Sequence, residues 1–179
     1  TPCARGESRP ESSAFVVTTP TPADHELAAR LADDAGSLLL DLRAERTAGG
    51  AFDARDLKDD GDQRSHELLM AELAPRIAAG DAVLSEEGRD STERLAHERV
   101  WIIDPLDGTR EFGEPPRTDW AVHVALTIEG VPVAGAVALP ALDRVLSTAL
   151  PPSVLDLDEV PGRPRVVVSR TRPPAAATW

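Results

Sequence analysis

Apolar residues recur with a helical period along the first half of the chain and with a period of two along much of the second half. Leu27, Leu31, Leu38, Leu39 and Leu42 fall on one helical face, which predicts an amphipathic helix over 22–46. Thr21-Pro22-Ala23-Asp24 marks its start, with Pro in the first turn and an acid three residues after Thr. A Gly-containing loop follows at Thr47–Phe52. Leu68, Leu69, Leu73 and Ile77 then form the stripe of a second helix from about Asp62 to Ile77, with Pro75 an irregularity near its end.

Beyond Gly80 the pattern becomes that of strands. Ala82-Val83-Leu84 and Val100-Trp101-Ile102-Ile103 are short apolar runs that end abruptly in acids, and both read as buried strands. Trp120, Val122, Val124, Leu126 and Ile128 alternate with small or polar residues, a strand signature. Glu129-Gly130 supplies a two-residue turn, and Val131–Leu139 returns antiparallel. Arg144–Leu150 and Arg165–Ser169 are further strand candidates. Helices followed by hairpin-linked strands predict an α+β fold, two N-terminal helices packed on a mainly antiparallel sheet. Residues 1–20, punctuated by Pro2, Pro10 and Pro20, read as a disordered tail. The chain begins at Thr1, and a strand candidate lies close to Trp179. Residues 21–179 are therefore expected to form an N-terminal domain, with the start of a second domain near 165–179 and its remainder absent.

Composition narrows the class. With 41% apolar residues the chain can bury a core, and with 3% aromatics and no Tyr that core is expected to be Leu, Val, Ile and Ala. A net charge of −12, from 19 bases against 31 acids, excludes a general nucleic-acid or anionic-membrane binder. An anionic ligand would need a local positive charge, and a divalent cation is the usual device. Cys3 is the only cysteine, so no intrachain disulfide is possible and a reducing compartment is expected. Val131–Leu142 is too short to span a bilayer and carries Pro132, Gly135 and Pro140. Residues 1–20 hold no apolar signal segment, so the expected location is cytoplasmic.

The chemistry concentrates in Asp104-Pro105-Leu106-Asp107-Gly108-Thr109. An apolar strand delivers Asp104, and Pro105 and Gly108 predict a tight turn that brings Asp107 back beside it. Two carboxylates and the carbonyls between them would suit a hard cation such as Mg²⁺, and the Gly108 and Thr109 amides a phosphate. A plain surface turn is the alternative. Glu86-Glu87 follows the other short strand, and Asp59-Asp60-Gly61-Asp62 opens the second helix, either as its N-cap or as a third acidic contribution. Lys58, the only lysine, adjoins it and could neutralise part of it or touch a phosphate. His25, His66, His97 and His123 have no HExxH or CxxC companion, which argues against zinc, and His123 reads as structural. No GxSxG or Walker-type loop is present. Arg163, Arg165, Arg170 and Arg172 form a basic cluster that is either solvated or faces an anionic ligand.

Val83-Leu84-Ser85-Glu86-Glu87, followed by Trp101-Ile102-Ile103-Asp104-Pro105-Leu106-Asp107-Gly108-Thr109-Arg110-Glu111-Phe112, resembles the Mg²⁺-dependent, lithium-sensitive inositol monophosphatase superfamily. Within it the likeness is greatest to bacterial 3'(2'),5'-bisphosphate nucleotidases of the CysQ type, which continue the motif with Lys/Arg-Glu-Phe where inositol-specific members have Thr-Asn-Phe. The resemblance runs over residues 22–174 and implies a layered α/β sandwich of the sugar-phosphatase type. It implies Mg²⁺ held by Glu86, Asp104, Asp107 and the Leu106 carbonyl. It also implies substrate contacts at Glu86, Asp107, Gly108, Thr109 and Arg110, and a water activated by Thr109 with Asp62. Lys58-Asp59-Asp60-Gly61-Asp62 departs from the family's Val-Thr-x-Ala-Asp. The family's further Asp ligand, in a Trp-Asp motif of a second domain, has no counterpart here. The implied activity is hydrolysis of adenosine 3',5'-bisphosphate to AMP and phosphate. The alternatives are inositol monophosphatase or fructose-1,6-bisphosphatase activity, or an inactive cation-binding fragment. The implied partner is a small phosphorylated molecule, not nucleic acid or membrane, and apolar sheet surface left uncovered allows a homodimer.

Overall fold

The computed structural model of the chain describes residues 19–88, 92–153 and 168. Two long antiparallel-packed helices, α1 (Pro22–Thr47) and α2 (Ala54–Ala78), cover one face of a five-stranded sheet. The strands are β1 (Ala82–Ser85), β2 (Arg99–Asp107), β3 (Ala121–Ile128), β4 (Val131–Leu139) and β5 (Arg144–Ser147), in spatial order β1-β2-β3-β4-β5. A single turn of helix, α3 (Thr109–Phe112), follows β2. The β1–β2 pair is parallel and the other three pairs are antiparallel. The α+β layering predicted from the pattern is thus the observed one. Among the described residues no helix is long and apolar enough to cross a membrane. The strand candidate Arg165–Ser169 and the Arg163–Arg172 cluster lie, apart from Val168, outside the described residues, as do most of the tail 1–20 and any second domain.

The first helix begins where its capping box requires. The Thr21 side chain accepts from the Asp24 N–H, and the Asp24 carboxylate accepts from the Thr21 N–H. The second begins eight residues earlier than expected, capped by Asp53, which accepts from the N–H groups of Arg55 and Asp56. Asp59, Asp60 and Asp62 are therefore interior positions and not the cap. The inward stripe of α2 is Leu57, Gly61, Ser65, Leu69 and Leu73, four residues apart at each step. Two small residues in that stripe hide it from a hydrophobic pattern, and Ile77, expected inside, is 40% exposed. Trp101, Ile103, Val122, Val124 and Leu126 face the helices and meet Leu31, Leu39 and Leu42. The apolar run of β2 is buried on that face alone, since Ile102 is 39% exposed. At the β3–β4 hairpin Glu129 and Gly130 both take positive φ, 51° and 77°, the primed turn whose twist matches the strands.

An ion network anchors the start of β2. Asp24, 1% exposed, accepts from Arg99 Nη2 at 2.8 Å, and Asp81 accepts from Arg99 Nε at 3.0 Å and from Trp101 Nε1 at 2.9 Å. Burial works to raise the Asp24 pKa, but Thr21 and Arg99 outweigh it and hold the carboxyl below its ordinary value. Arg99→Met would leave Asp81 and Asp24 buried with Arg76 Nη1, 3.7 Å from Asp24 Oδ1, as their remaining base, costing on the order of 3 kcal/mol. Urea unfolding should register that loss, and a variant within about 0.5 kcal/mol of the parent would show the network to be energetically idle.

Candidate active site

The parallel pairing of β1 and β2 brings the first two carboxylates together. Ser85 lies opposite Ile103, and the Glu86 N–H donates to the Ile103 carbonyl at 3.2 Å, so both strands release an acid at the same sheet end. Burial raises the Asp104 pKa most. The charge of Glu86, a hydrogen bond shared with it, and the charge of Asp107 add to this, pushing Asp104 up to about 6.

Asp107 reaches the same side by a bulge and not by the predicted tight turn. Asp104 pairs with His123 and Asp107 with Ala121, so a step of three residues on β2 matches a step of two on β3. Residues three apart in a regular strand face opposite sides, and the extra residue cancels that alternation. Pro105 has no N–H to give the ladder, which is why the irregularity falls there. The loosened segment is tied down locally. Ser65 of α2 donates to the Pro105 carbonyl at 2.7 Å, and the Leu106 N–H donates to Asp104 Oδ1 at 3.2 Å.

The chain turns only at Gly108. Its φ of 81° is left-handed, and a Cβ there would lie 3.0 Å from the Asp119 carbonyl oxygen and 3.2 Å from Trp120, so glycine is required twice over. Thr109 opens α3 beside α2, with Oγ1 at 3.0 Å from the Leu106 carbonyl oxygen and 3.3 Å from Asp62 Oδ1. Asp62 can come that close because Gly61 precedes it: a Cβ on Gly61 would meet the Phe112 ring at 2.8 Å. Asp62 is pushed up to about 7, first by burial and then by the charge of Glu87. Asp104 and Glu86 add to this, and the Thr109 hydrogen bond opposes them.

The fold thus gathers Asp62, Glu86, Asp104, Leu106, Gly108 and Thr109 at one end of the sheet. Asp107 is on the same side, but its carboxylate lies 3.2 Å from His123 Nε2, so His123 has a polar partner at the site's edge. Arg110 points elsewhere, with Nε 3.1 Å from Glu114. Asp60 pairs with Arg46, and Lys58 packs its stem over Gly113 while its charge acts on Asp53. Three contributors went unassigned in the sequence. Glu87 supplies the largest charge acting on Asp62; Ser65 and His66 stand three and four residues after Asp62 on the same helix. His66 Nδ1 meets Ser85 Oγ at 2.9 Å, and with Asp59, Asp62, Gln63 and Glu87 it lines a cavity of about 310 Å³. Helical spacing from Asp62 was the available signal.

The donor set is all oxygen, as a hard cation requires, and burial together with neighbouring negative charge raises the pKa values of its Asp104 and of the adjacent Asp62. Among the described residues no three His, Cys, Asp or Glu side chains already form a metal-binding group. Asp107 would have to exchange His123 for the ion. In its chemistry the donor set fits such a cation, and its pH behaviour follows. Both carboxyls rise from 3.8, so the stability each contributes is full below that pH and is lost as pH rises through about 6 for Asp104 and about 7 for Asp62. In chelator, Asp104→Asn and Asp62→Asn should therefore gain stability relative to the parent as pH rises from 4 to 8. Thermal unfolding curves that stay parallel across that range would contradict this.

The chain matches the inositol monophosphatase family over residues 23–151. A 3'-phosphoadenosine 5'-phosphate phosphatase of Mycobacterium bovis is 49% identical over 154 residues, covering 79% of this chain and 54% of that protein. The corresponding phosphatase of Mycobacterium leprae is 47% identical over 161 residues, covering 84% and 58%. The chain thus spans little more than half the length of these curated relatives. Among solved structures, CysQ from Bacteroides thetaiotaomicron, a bacterial member of the inositol monophosphatase family, superposes with a TM-score of 0.59 at 28% identity. That match covers 70% of this chain and 44% of the other. By the extent of the match, the motif at the strand ends and the fold that carries it, this chain belongs to the inositol monophosphatase family.

Proposed function

We propose that the chain is the Asp62- and Thr109-bearing half of a Mg²⁺-dependent 3'(2'),5'-bisphosphate nucleotidase that converts adenosine 3',5'-bisphosphate to AMP and phosphate. The observation that carries this reading is the meeting of Asp62 with Thr109 Oγ1 at 3.3 Å, beside the Glu86–Asp104 pair. Its substrate class rests on the named function of the 49%-identical relative and on Arg110-Glu111-Phe112 after the acidic motif.

Glu86, Asp104, Asp107 and the Leu106 carbonyl would hold the Mg²⁺. When bound, the ion offsets the charge of the transferring phosphate and makes a nearby water more acidic. The chain's own groups do the rest. The N–H groups of Gly108 and Thr109 orient the phosphate. Thr109 Oγ1 and Asp62 hold the attacking water, and Asp62, poised at about 7, takes its proton near neutral pH. Oxygen of that water bonds to phosphorus as the bond to the 3' oxygen breaks. The departing 3' oxygen takes a proton from solvent and Asp62 later returns its own to solvent, so AMP and inorganic phosphate are the products. The second domain, where the family carries a further Asp, completes the assembly in this reading.

Phosphate release should be measured on adenosine 3',5'-bisphosphate, inositol monophosphate and fructose 1,6-bisphosphate, with Mg²⁺ and with chelator. Both the 179-residue chain and a version extended to the length of its relatives should be assayed. The nucleotide is expected to turn over fastest, only with Mg²⁺, and much faster in the longer version. Asp104→Asn should lose more than about a hundredfold, above the cost of an outer-shell partner. No release from the nucleotide by the longer version, or a parent-like rate from Asp104→Asn, would overturn the reading. An inactive cation-binding fragment would instead bind Mg²⁺ without any Mg²⁺-dependent uptake of inorganic phosphate.

A further inference from the structure

Near the C-terminal end of α1 a guanidinium is buried against two aromatic rings. Arg43 is 9% exposed, with Cζ 5.6 Å from the Phe112 ring centroid and 5.7 Å from that of Trp120. The two rings meet edge to face, 5.0 Å apart at 78°. Arg43 Nη1 donates to the Arg117 carbonyl at 2.7 Å, while Nε and Nη2 have no hydrogen-bond partner among the described residues. An apolar side chain of similar length would fill this space without burying those N–H groups, so stability alone does not account for an arginine here.

Both aromatic residues border the site described above, Phe112 by its ring and Trp120 by its Cα and Cβ. Phe112 occupies the space that a Cβ on Gly61 would need, next to Asp62, and Trp120 lies against Gly108, next to Thr109. We propose that Arg43 is a positioning residue: its guanidinium clamps the Phe112–Trp120 pair and the Arg117 carbonyl, and through them sets the separation of Asp62 from Thr109. A cation within about 6 Å of both ring faces favours one placement of the rings over a loose apolar contact. The 2.7 Å bond to the Arg117 carbonyl fixes the loop between α3 and β3 at the same time. The consequence for turnover rests on the nucleotidase reading; the consequence for local order does not.

Arg43→Met and Arg43→Lys, made in the version of relatives' length, test this in two ways. With Mg²⁺ and adenosine 3',5'-bisphosphate, Arg43→Met should lower kcat by up to about a hundredfold, the scale of a misplacement near 1 Å. KM should stay within about twofold and Tm should hold or rise. Arg43→Lys keeps the charge over the rings and should recover part of kcat. Hydrogen exchange of amides 108–113 should quicken in Arg43→Met while those of 28–39 in α1 do not change. Parent-like kcat with unchanged exchange at 108–113 would overturn the proposal, as would losses of kcat that only track a falling Tm. If the parent itself releases no phosphate, the nucleotidase reading fails and the exchange result alone decides. Should Arg43→Met not fold, Arg43→Lys decides: parent-like exchange at 108–113 together with parent-like kcat would overturn the proposal.

Discussion

Carboxylates of like charge repel at close range, and this fold gathers several of them at one end of a sheet. Burial, which withholds screening water, raises the pKa values of Asp62 and Asp104 most; the charges of Glu87, Asp104 and Glu86 add to the first, and those of Glu86 and Asp107 to the second. The opposite end of β2 shows how the same chain treats acids with a structural role. There Asp24 and Asp81 share Arg99, and Asp24 is held below its ordinary pKa. Arg110, the base nearest in sequence to the acidic motif, turns to Glu114. One end of the strand is neutralised within the chain, while the other is arranged to be neutralised by something it binds.

Holding that arrangement takes several devices acting together. The parallel pairing sets Glu86 beside Asp104, and the bulge at Pro105 returns Asp107 to the same side. Gly61 and Gly108 let Phe112 and Trp120 pack where a methyl group would not fit, which brings α2 against α3 and Asp62 against Thr109. Ser65 and Arg43 tie the two loosened stretches to the helices through the Pro105 and Arg117 carbonyls. Gly61, Ser65, Arg43, Phe112 and Trp120 would not bind a cation, yet they pack and tie down the segments that carry the residues that would.

Much of this was legible in the sequence. Leucine spacing gave α1, strict alternation gave β3, and Glu129-Gly130 gave the hairpin, because each is a local signal. The acidic motif at the end of an apolar run pointed to the candidate site. The start of α2 was missed because its inward stripe runs through Gly61 and Ser65, and because Asp53 caps it from what looked like a loop. The bulge could not be read from Asp-Pro-Leu-Asp-Gly alone: turn and bulge use the same residues, and only pairing with β3 separates them. Asp107's contact with His123 and Arg43's with Phe112 and Trp120 join residues far apart in sequence, which no local pattern records.

If carboxyl crowding is what a cation relieves, binding the cation must release protons wherever those carboxyls are still protonated. Calorimetric titration with Mg²⁺ in buffers of different ionisation enthalpy reads that proton count directly. The account predicts release at pH 6, where Asp104 at about 6 and Asp62 at about 7 are substantially protonated, fading to none by pH 9 and reduced in Asp104→Asn. Mg²⁺ binding that releases no protons at pH 6, or releases the same number from Asp104→Asn, would contradict it.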